Sequence, residues 1–368
     1  MALLSVADAL ERVLAQGAPL PAEDVPLQEA DGRVLADDLK ALRTQPPADV
    51  SAMDGYALRA ADVAQAPVRL KVVGEVAAGR PFPAAIETGE AARIFTGGVL
   101  PAGTDTVVIQ ELTTHEDRVV AVHKPTSRGR NVRREGLDFR SGATLLRKGQ
   151  RLTPRDLQLA AAMNHPVVPV HRRPKLALFA TGDELVRPGT EPGPGQIVYS
   201  NVFALSALAR AEGAEVVDLG VVADKLDDTI AAIGQARTLG ADILVTMGGA
   251  SVGDYDFVQR AFEKQGLALS FWKVAMRPGR PLMHGRLGAA AVLGLPGNPV
   301  SSYVCALLFL VPLIRLLCGR RDLKTPTETA VLGCDLAAND ERADYLRATL
   351  RAGPTARWPR RSRLRTAR

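Results

Sequence analysis

Three observations predict a multidomain α/β plus β protein: strand–helix alternation over residues 174–325, short β-prone runs over 46–140, and mixed helix and strand pieces flanking those runs. A chain of 368 residues has room for two to four domains of roughly 100–200 residues each. At the amino end, Leu3, Val6, Leu10, Val13 and Leu14 follow helical spacing. Asp8 and Glu11 interrupt the apolar pattern, so this segment reads as an amphipathic helix and not as a signal peptide. Gln45-Pro46-Pro47 ends regular structure.

From 46 to 140, the runs Val68–Val73, Ala91–Phe95, Asp105–Gln110 and Arg118–His123 are separated by Gly and Pro clusters, the pattern of a small all-β module. Residues 141–173 return to helix and strand. Thr153 as N-cap, Pro154 at the first helical position and Asp156 two residues later mark a helix start. Strands are then expected at Lys175–Ala180, Glu215–Val221, Ala241–Met247, Phe271–Val274 and Ala290–Leu295. Helices are expected at Asn201–Glu212, Leu226–Leu239, Asp256–Lys264 and from Pro299 onward. Such alternation implies a mostly parallel sheet with helices on both faces, whose ligands sit at the carboxyl ends of the strands. After Thr325, Glu328–Leu332 and Tyr345–Leu350 read as strands. The apolar stretch Val304–Leu317, with Pro312 and Arg315 inside it, reads as a buried helix too short for a membrane span.

Composition narrows the function. Residues 357–368 hold six arginines and no acid; without them basic and acidic residues balance at 40 each. The net charge of +6 therefore belongs to the end of the chain, and with only 4% aromatic residues a nucleic-acid surface is not expected. Cys305, Cys318 and Cys334 have neither zinc-site nor disulfide-framework spacing, which suits a reducing, cytoplasmic setting. The five histidines sit in no nucleophile motif.

Four loops after expected strands could carry chemistry. Gly182, Asp183 and Glu184 place two carboxylates behind a tight turn; a plain turn with a helix cap is the bland alternative. Gly248, Gly249, Ser251 and Gly253, leading to Asp256, offer backbone N–H groups to an anion. Lys273, Arg277 and Arg280 surround Pro278-Gly279, as an anionic ligand or a solvated turn would each allow. Pro296, Gly297, Asn298 and Pro299 form a stiff turn in which Asn298 caps the following helix. Carboxylates beside phosphate-seeking groups suit Mg²⁺. Neither GxGxxG nor GxxxxGK[ST] is present. In the β-rich region, the loops around Asp54, Thr96 and Arg133-Arg134 to Asp138 place acids and a hydroxyl beside glycines, and turns with salt bridges would explain them equally.

Seven segments in order resemble molybdopterin molybdenumtransferases, a family that includes the gephyrin E domain. They are SAMDGYAL at 51–58, RIFTGGVLPAGTDTVV at 93–108, GRNVRREGLDF at 129–139, ATGDEL at 180–185, GGASVGDYD at 248–256, WKVAMRPGRP at 272–281 and LPGNPVSS at 295–302. The resemblance covers about residues 1–335 and implies four domains. These are a discontinuous helical/mixed linker domain (1–45 plus 141–173), a β-rich domain (46–140), an α/β molybdopterin-binding domain (174–325) and a C-terminal β-barrel (326–368). It implies a homodimer whose cleft joins the α/β domain of one subunit to the β-rich domain of the other. The implied reaction transfers molybdenum from molybdate to adenylylated molybdopterin, with AMP released, Mg²⁺ assisting and the product passed to molybdenum-cofactor enzymes.

By position, the resemblance assigns functional roles to Asp54, Thr96, Asp138, Glu184 and Asp256, with Glu184 and Asp256 nearest the Mg²⁺. It assigns anion binding to Lys273 and Arg277, and on the β-rich side to Arg133 or Arg134. Arg277 stands where lysine is common. Pro296 and Pro299 match a rigid turn beside the pterin. The Arg-rich end departs from the family, so an incomplete barrel with a disordered basic tail is expected. A gephyrin-type scaffold and a molybdopterin adenylyltransferase are the rival readings; the latter would not need Asp54 or Thr96.

Overall fold

The computed structural model describes residues 3–15, 17–248 and 257–351. Its central sheet has six strands in the spatial order Glu215–Val222, Lys175–Thr181, Ile243–Met247, Ala290–Leu295, Pro281–Leu287 and Ala268–Lys273. The first four are parallel, and Pro281–Leu287 runs antiparallel to both its neighbours. The carboxyl end of Ala268–Lys273 therefore lies at the same edge as those of Lys175–Thr181, Ile243–Met247 and Ala290–Leu295.

Successive strand residues face opposite sides, so a strand covered on both faces needs an apolar residue at nearly every position. In Lys175–Thr181, Leu176, Leu178 and Ala180 enter one core while Ala177 and Phe179 enter the other. Helices Asn201–Glu212 and Pro299–Leu317 cover the first face; Leu226–Thr238 and Phe257–Lys264 cover the second. The amino-terminal helix Val6–Ala15 also joins the first face through Ala9 and Val13.

The apolar stretch Val304–Leu317 is part of a longer helix that starts at Pro299, as expected. That helix spans Pro299–Leu317, 19 residues, long and apolar enough by length and composition to cross a membrane. Phe309, Leu310, Leu313 and Ile314 are nevertheless buried in the core against the sheet. A π-turn over Ala306–Leu310 precedes Pro312. Proline lacks an N–H and its ring crowds the carbonyl four residues back, and a widened turn relieves that crowding.

A second six-stranded sheet runs Thr106–Ile109, Gly55–Leu58, Glu90–Ile94, Val68–Val76, Val119–Val122, Thr113–Glu116, as the short β-prone runs predict. A third core joins residues before and after it in sequence: Val25, Leu35 and Leu39 pack with Leu146, Leu152, Val168 and Val170. Ala22–Pro26 pairs antiparallel with Val167–His171, so the chain leaves this core and returns to it. Its helix Pro154–Ala162 begins where the cap pattern predicts: Asp156 Oδ2 accepts from Thr153 N at 2.8 Å and Thr153 Oγ1 at 2.6 Å.

Three expectations fail. Pro281–Leu287 was not foreseen as a strand, because Pro281, His284 and Gly285 break its pattern. Gly285 is required there: a Cβ would lie 2.7 Å from Ala268 O of the neighbouring strand. Glu328–Leu332 and Tyr345–Leu350 form no strands. β-prone residues need a partner edge, and in residues 326–351 only Ala343–Asp344 has one, pairing with Met276–Arg277. The expectation of a disordered tail falls on 352–368, outside the described residues.

Candidate active site

Three loops converge at the carboxyl edge of the α/β sheet. Gly182 has φ 150°, a region that L side chains rarely adopt. A Cβ there would lie 2.6 Å from Glu184 Oε2, so the Glu184 carboxylate folds back over the glycine. No helix follows; Leu185–Val186 instead pairs with Ile197–Val198. Gly248, with φ 90°, donates its N–H to Leu295 O at 3.2 Å. A Cβ on Gly248 would meet Thr181 O at 2.7 Å, and one on Gly297 would stand 3.6 Å from Gly248 Cα. Glycine at 248 is what lets the three strand ends meet. Gly248→Ala is therefore expected to cost roughly 1–3 kcal/mol of stability from backbone strain alone, measurable by urea unfolding.

The Pro296–Pro299 turn is held from inside. Asn298 Oδ1 accepts from Val300 N at 3.1 Å and Ser301 N at 3.2 Å, the expected cap. Ser302 Oγ donates to Pro296 O at 2.7 Å. Asn201 Nδ2 donates to Gly297 O at 2.7 Å, tying the starts of two helices together. Between those starts lies a cavity of about 430 Å³ lined by Ser200, Asn201, Pro299, Ser302, Tyr303 and Arg347, among others.

Lys273 ends its strand at the same edge, and Nζ has no protein partner among the described residues. Arg277 follows, and its guanidinium is paired with Asp344. The turn between them and Pro281 is packed: at Gly279, φ 105°, a Cβ would lie 2.6 Å from Cys305 Sγ. Burial pushes the Cys305 thiol up to about 12, which leaves it a core residue and not a nucleophile.

Sequence reading missed Asp224. Its N–H donates to Asp183 Oδ1 at 3.2 Å. Burial raises its carboxyl above the usual range, and repulsion from Asp183 and Glu184 adds to this despite the Asp183 hydrogen bond. The signal was available: an acid two residues past the strand Glu215–Val222, at the edge where ligands bind such sheets.

A second group sits in the β-rich region. Asp54 Oδ1 accepts from Thr96 N at 2.8 Å and Thr96 Oγ1 at 2.7 Å. These bonds, helped by the charge of Arg93, hold the Asp54 carboxyl below its ordinary range against some desolvation, so it is ionised at neutral pH. The loop carrying Asp138 is woven to it: Ala52 N donates to Asn131 O at 2.9 Å, and Val132–Arg133 pairs with Val50–Ser51. Both expected anion ligands here are already engaged. Arg133 bonds Asp138 at 3.1 and 3.2 Å, and Arg134 bonds Asp49 at 2.5 Å. Among the described residues, no hydrogen bond or ion pair joins this group to the α/β site within the chain. Gly249, Ser251, Gly253 and Asp256 lie outside the described residues.

Comparison with known proteins agrees with this layout. Residues 4–164 match the MoeA N-terminal region (domain I and II), and residues 177–316 match the Probable molybdopterin binding domain. A molybdopterin molybdenumtransferase of Haemophilus influenzae is 38% identical over 89% of this chain and 81% of its own length. One from Synechococcus elongatus is 43% identical over 88% of this chain and 82% of its own. The chain belongs to the molybdopterin molybdenumtransferase family. The fold agrees. A crystal structure of the molybdopterin biosynthesis moeA protein of Pyrococcus horikoshii OT3 superimposes with a TM-score of 0.81 at 30% identity, covering 94% of this chain and 87% of that one.

Proposed function

We infer that this member of the molybdopterin molybdenumtransferase family is a transferase of molybdenum cofactor biosynthesis. It takes adenylylated molybdopterin and molybdate, releases AMP and leaves molybdenum on the dithiolene sulfurs. The observation that carries this reading is that Glu184, Gly248 and the Pro296–Pro299 turn converge at one sheet edge, along which Lys273 also ends its strand.

In this reading the backbone and hydroxyls around Pro299 orient the pterin, beside the cavity that opens between the two helix starts. Lys273 and Arg277 hold oxyanion charge that develops as the phosphate bond breaks. The assignment of Gly249, Ser251 and Gly253 to substrate binding and of Asp256 to catalysis, made from the resemblance, is kept as part of this proposal. The donor set suits Mg²⁺. Asp183, Glu184 and Asp224 offer hard oxygen atoms whose mutual repulsion a cation would relieve. Among the described residues no three such side chains, these included, are placed to hold one metal ion together, but Mg²⁺ commonly takes one or two carboxylates and fills its shell with water and phosphate oxygens. Glu184, with Asp256, would hold it, and the ion would neutralise phosphate charge.

A homodimer completes the proposal. Asp54 and Thr96 form a hydrogen-bonded pair that, among the described residues, has no hydrogen bond or ion pair to the α/β site of its own chain, which supports a cleft closed by a partner's β-rich domain. Asp138 stays tied to Arg133, and either Arg133 or Arg134 would have to exchange its carboxylate for an anion to bind one. The four-part division given from the sequence is kept as part of this proposal, as are a cytoplasmic location and transfer of the product to molybdenum enzymes.

Purified protein supplied with adenylylated molybdopterin, molybdate and Mg²⁺ should release AMP and form molybdenum cofactor. Lys273→Ala is expected to slow this about 10²-fold, the scale for losing one charge-stabilising donor. Pterin binding without any AMP release or molybdenum incorporation would overturn the proposal.

A further inference from the structure

Arg277 is held in a way that a lysine could not be. Met276–Arg277 pairs parallel with Ala343–Asp344. Ala343 N donates to Ala275 O at 2.9 Å, and Tyr345 N donates to Arg277 O at 2.8 Å. This backbone pairing aligns the two side chains. Arg277 Nε donates to Asp344 Oδ1 at 2.9 Å, and Arg277 Nη2 donates to Asp344 Oδ2 at 2.6 Å. The Asp344 side chain is only 12% exposed, whereas that of Arg277 is 52% exposed. The nearby Asp340 is itself paired with Arg342.

A guanidinium carries its five N–H groups in one plane. Asp344 occupies the Nε–Nη2 edge; one N–H of Nη1 and the second of Nη2 lie along the other edge, which has no partner among the described residues. That free edge is a second fork, and its plane is set by the first.

We propose that Asp344 is a positioning residue for the oxyanion site: it locks the plane of Arg277 so that the Nη1–Nη2 edge meets molybdate as a preoriented fork. The proposal rests on Arg277 as an anion ligand, as proposed above. It explains the arginine at a position where the resemblance makes lysine common. An ammonium is a compact point charge with no second edge to orient. The Asp344 carboxylate also places a negative charge near the anion, and that repulsion opposes the gain from orientation; the direction of the KM change in Asp344→Ala decides between the two, a fall meaning that repulsion dominates.

The test is steady-state molybdenum insertion by the full chain, varying molybdate at saturating adenylylated molybdopterin. Asp344→Ala should raise KM for molybdate about 10-fold while kcat changes by less than about 2-fold. KM for the pterin substrate and the thermal midpoint should stay close to wild type. Asp344→Asn, which keeps the size but replaces one acceptor with a donor, should give an intermediate rise, and Asp344→Glu should recover part of the loss. In an Arg277→Lys background, adding Asp344→Ala should change molybdate KM by less than about 2-fold, because the group it orients is gone. An unchanged or lower molybdate KM in Asp344→Ala, or an equal rise in both backgrounds, would overturn the positioning role. If Arg277→Ala itself leaves molybdate KM unchanged, the assignment of Arg277 to the anion site fails instead.

Discussion

Glu184→Ala is expected to lower kcat for molybdenum insertion about 10²–10³-fold, the range for removing one preorganised electrostatic group from a reacting centre. The size follows from how the carboxylate is built in. It sits in the first turn after Lys175–Thr181, folded over Gly182, whose hydrogen in place of a Cβ is what makes room for it. Asp183 and Asp224 share that space, and Asp224 is raised by burial and then by the charges of Asp183 and Glu184. A proton and a divalent cation compete for such a group, so cation dependence should ease as pH rises through the Asp224 titration. Glu184→Gln removes one repelling charge and should move that dependence to lower pH. Initial rates against Mg²⁺ at several pH values give both results. A kcat within about 3-fold of wild type in Glu184→Ala would remove Glu184 from the reacting centre.

The α/β layer was legible because its physics is local. Strands buried on both faces must be continuously apolar, and Leu176–Ala180 and Ala290–Leu295 are. Helix ends carry their own signals, as at Thr153 and Asn298. Pro281–Leu287 was illegible because its glycine and proline answer to a neighbouring strand and not to strand propensity. At the site, the residues on strand-end loops could be found from the rule that ligands bind there. Asp224 follows the same rule and was missed because its loop has no glycine cluster to draw notice. Asp344 could not be found that way. It lies 67 residues beyond Arg277, in the region read as a C-terminal barrel but just outside its expected strands, and only the folded pairing with Met276–Arg277 brings the two together. Similarly, the pairing of Arg134 with Asp49 crosses 85 residues, so sequence alone left that arginine free for an anion.

The largest stability effect is expected at Glu212. Its carboxylate receives Arg315 Nε and Nη2 at 2.8 Å each, and Arg320 Nη1 at 2.7 Å. The three side chains are 14%, 10% and 8% exposed. Glu212 ends helix Asn201–Glu212, and Arg315 lies in the last turn of Pro299–Leu317. The group therefore clamps the far ends of the two helices whose starts frame the cavity at the site. Glu212→Ala leaves two cations buried, one of them still matched by Asp322, and breaking a buried pair costs about 3–5 kcal/mol. Burial alone would raise the Glu212 carboxyl; the Arg315 hydrogen bonds and the charges of Arg315 and Arg320 outweigh it and hold the group below its ordinary value. A depressed carboxyl stabilises the fold above its unfolded-state value, and that contribution is lost as pH falls through the lower, folded one. Glu212→Gln should consequently differ most from wild type near neutral pH and converge with it in acid. Urea unfolding across this range separates the clamp from simple packing, since a packing defect would give the same loss at every pH.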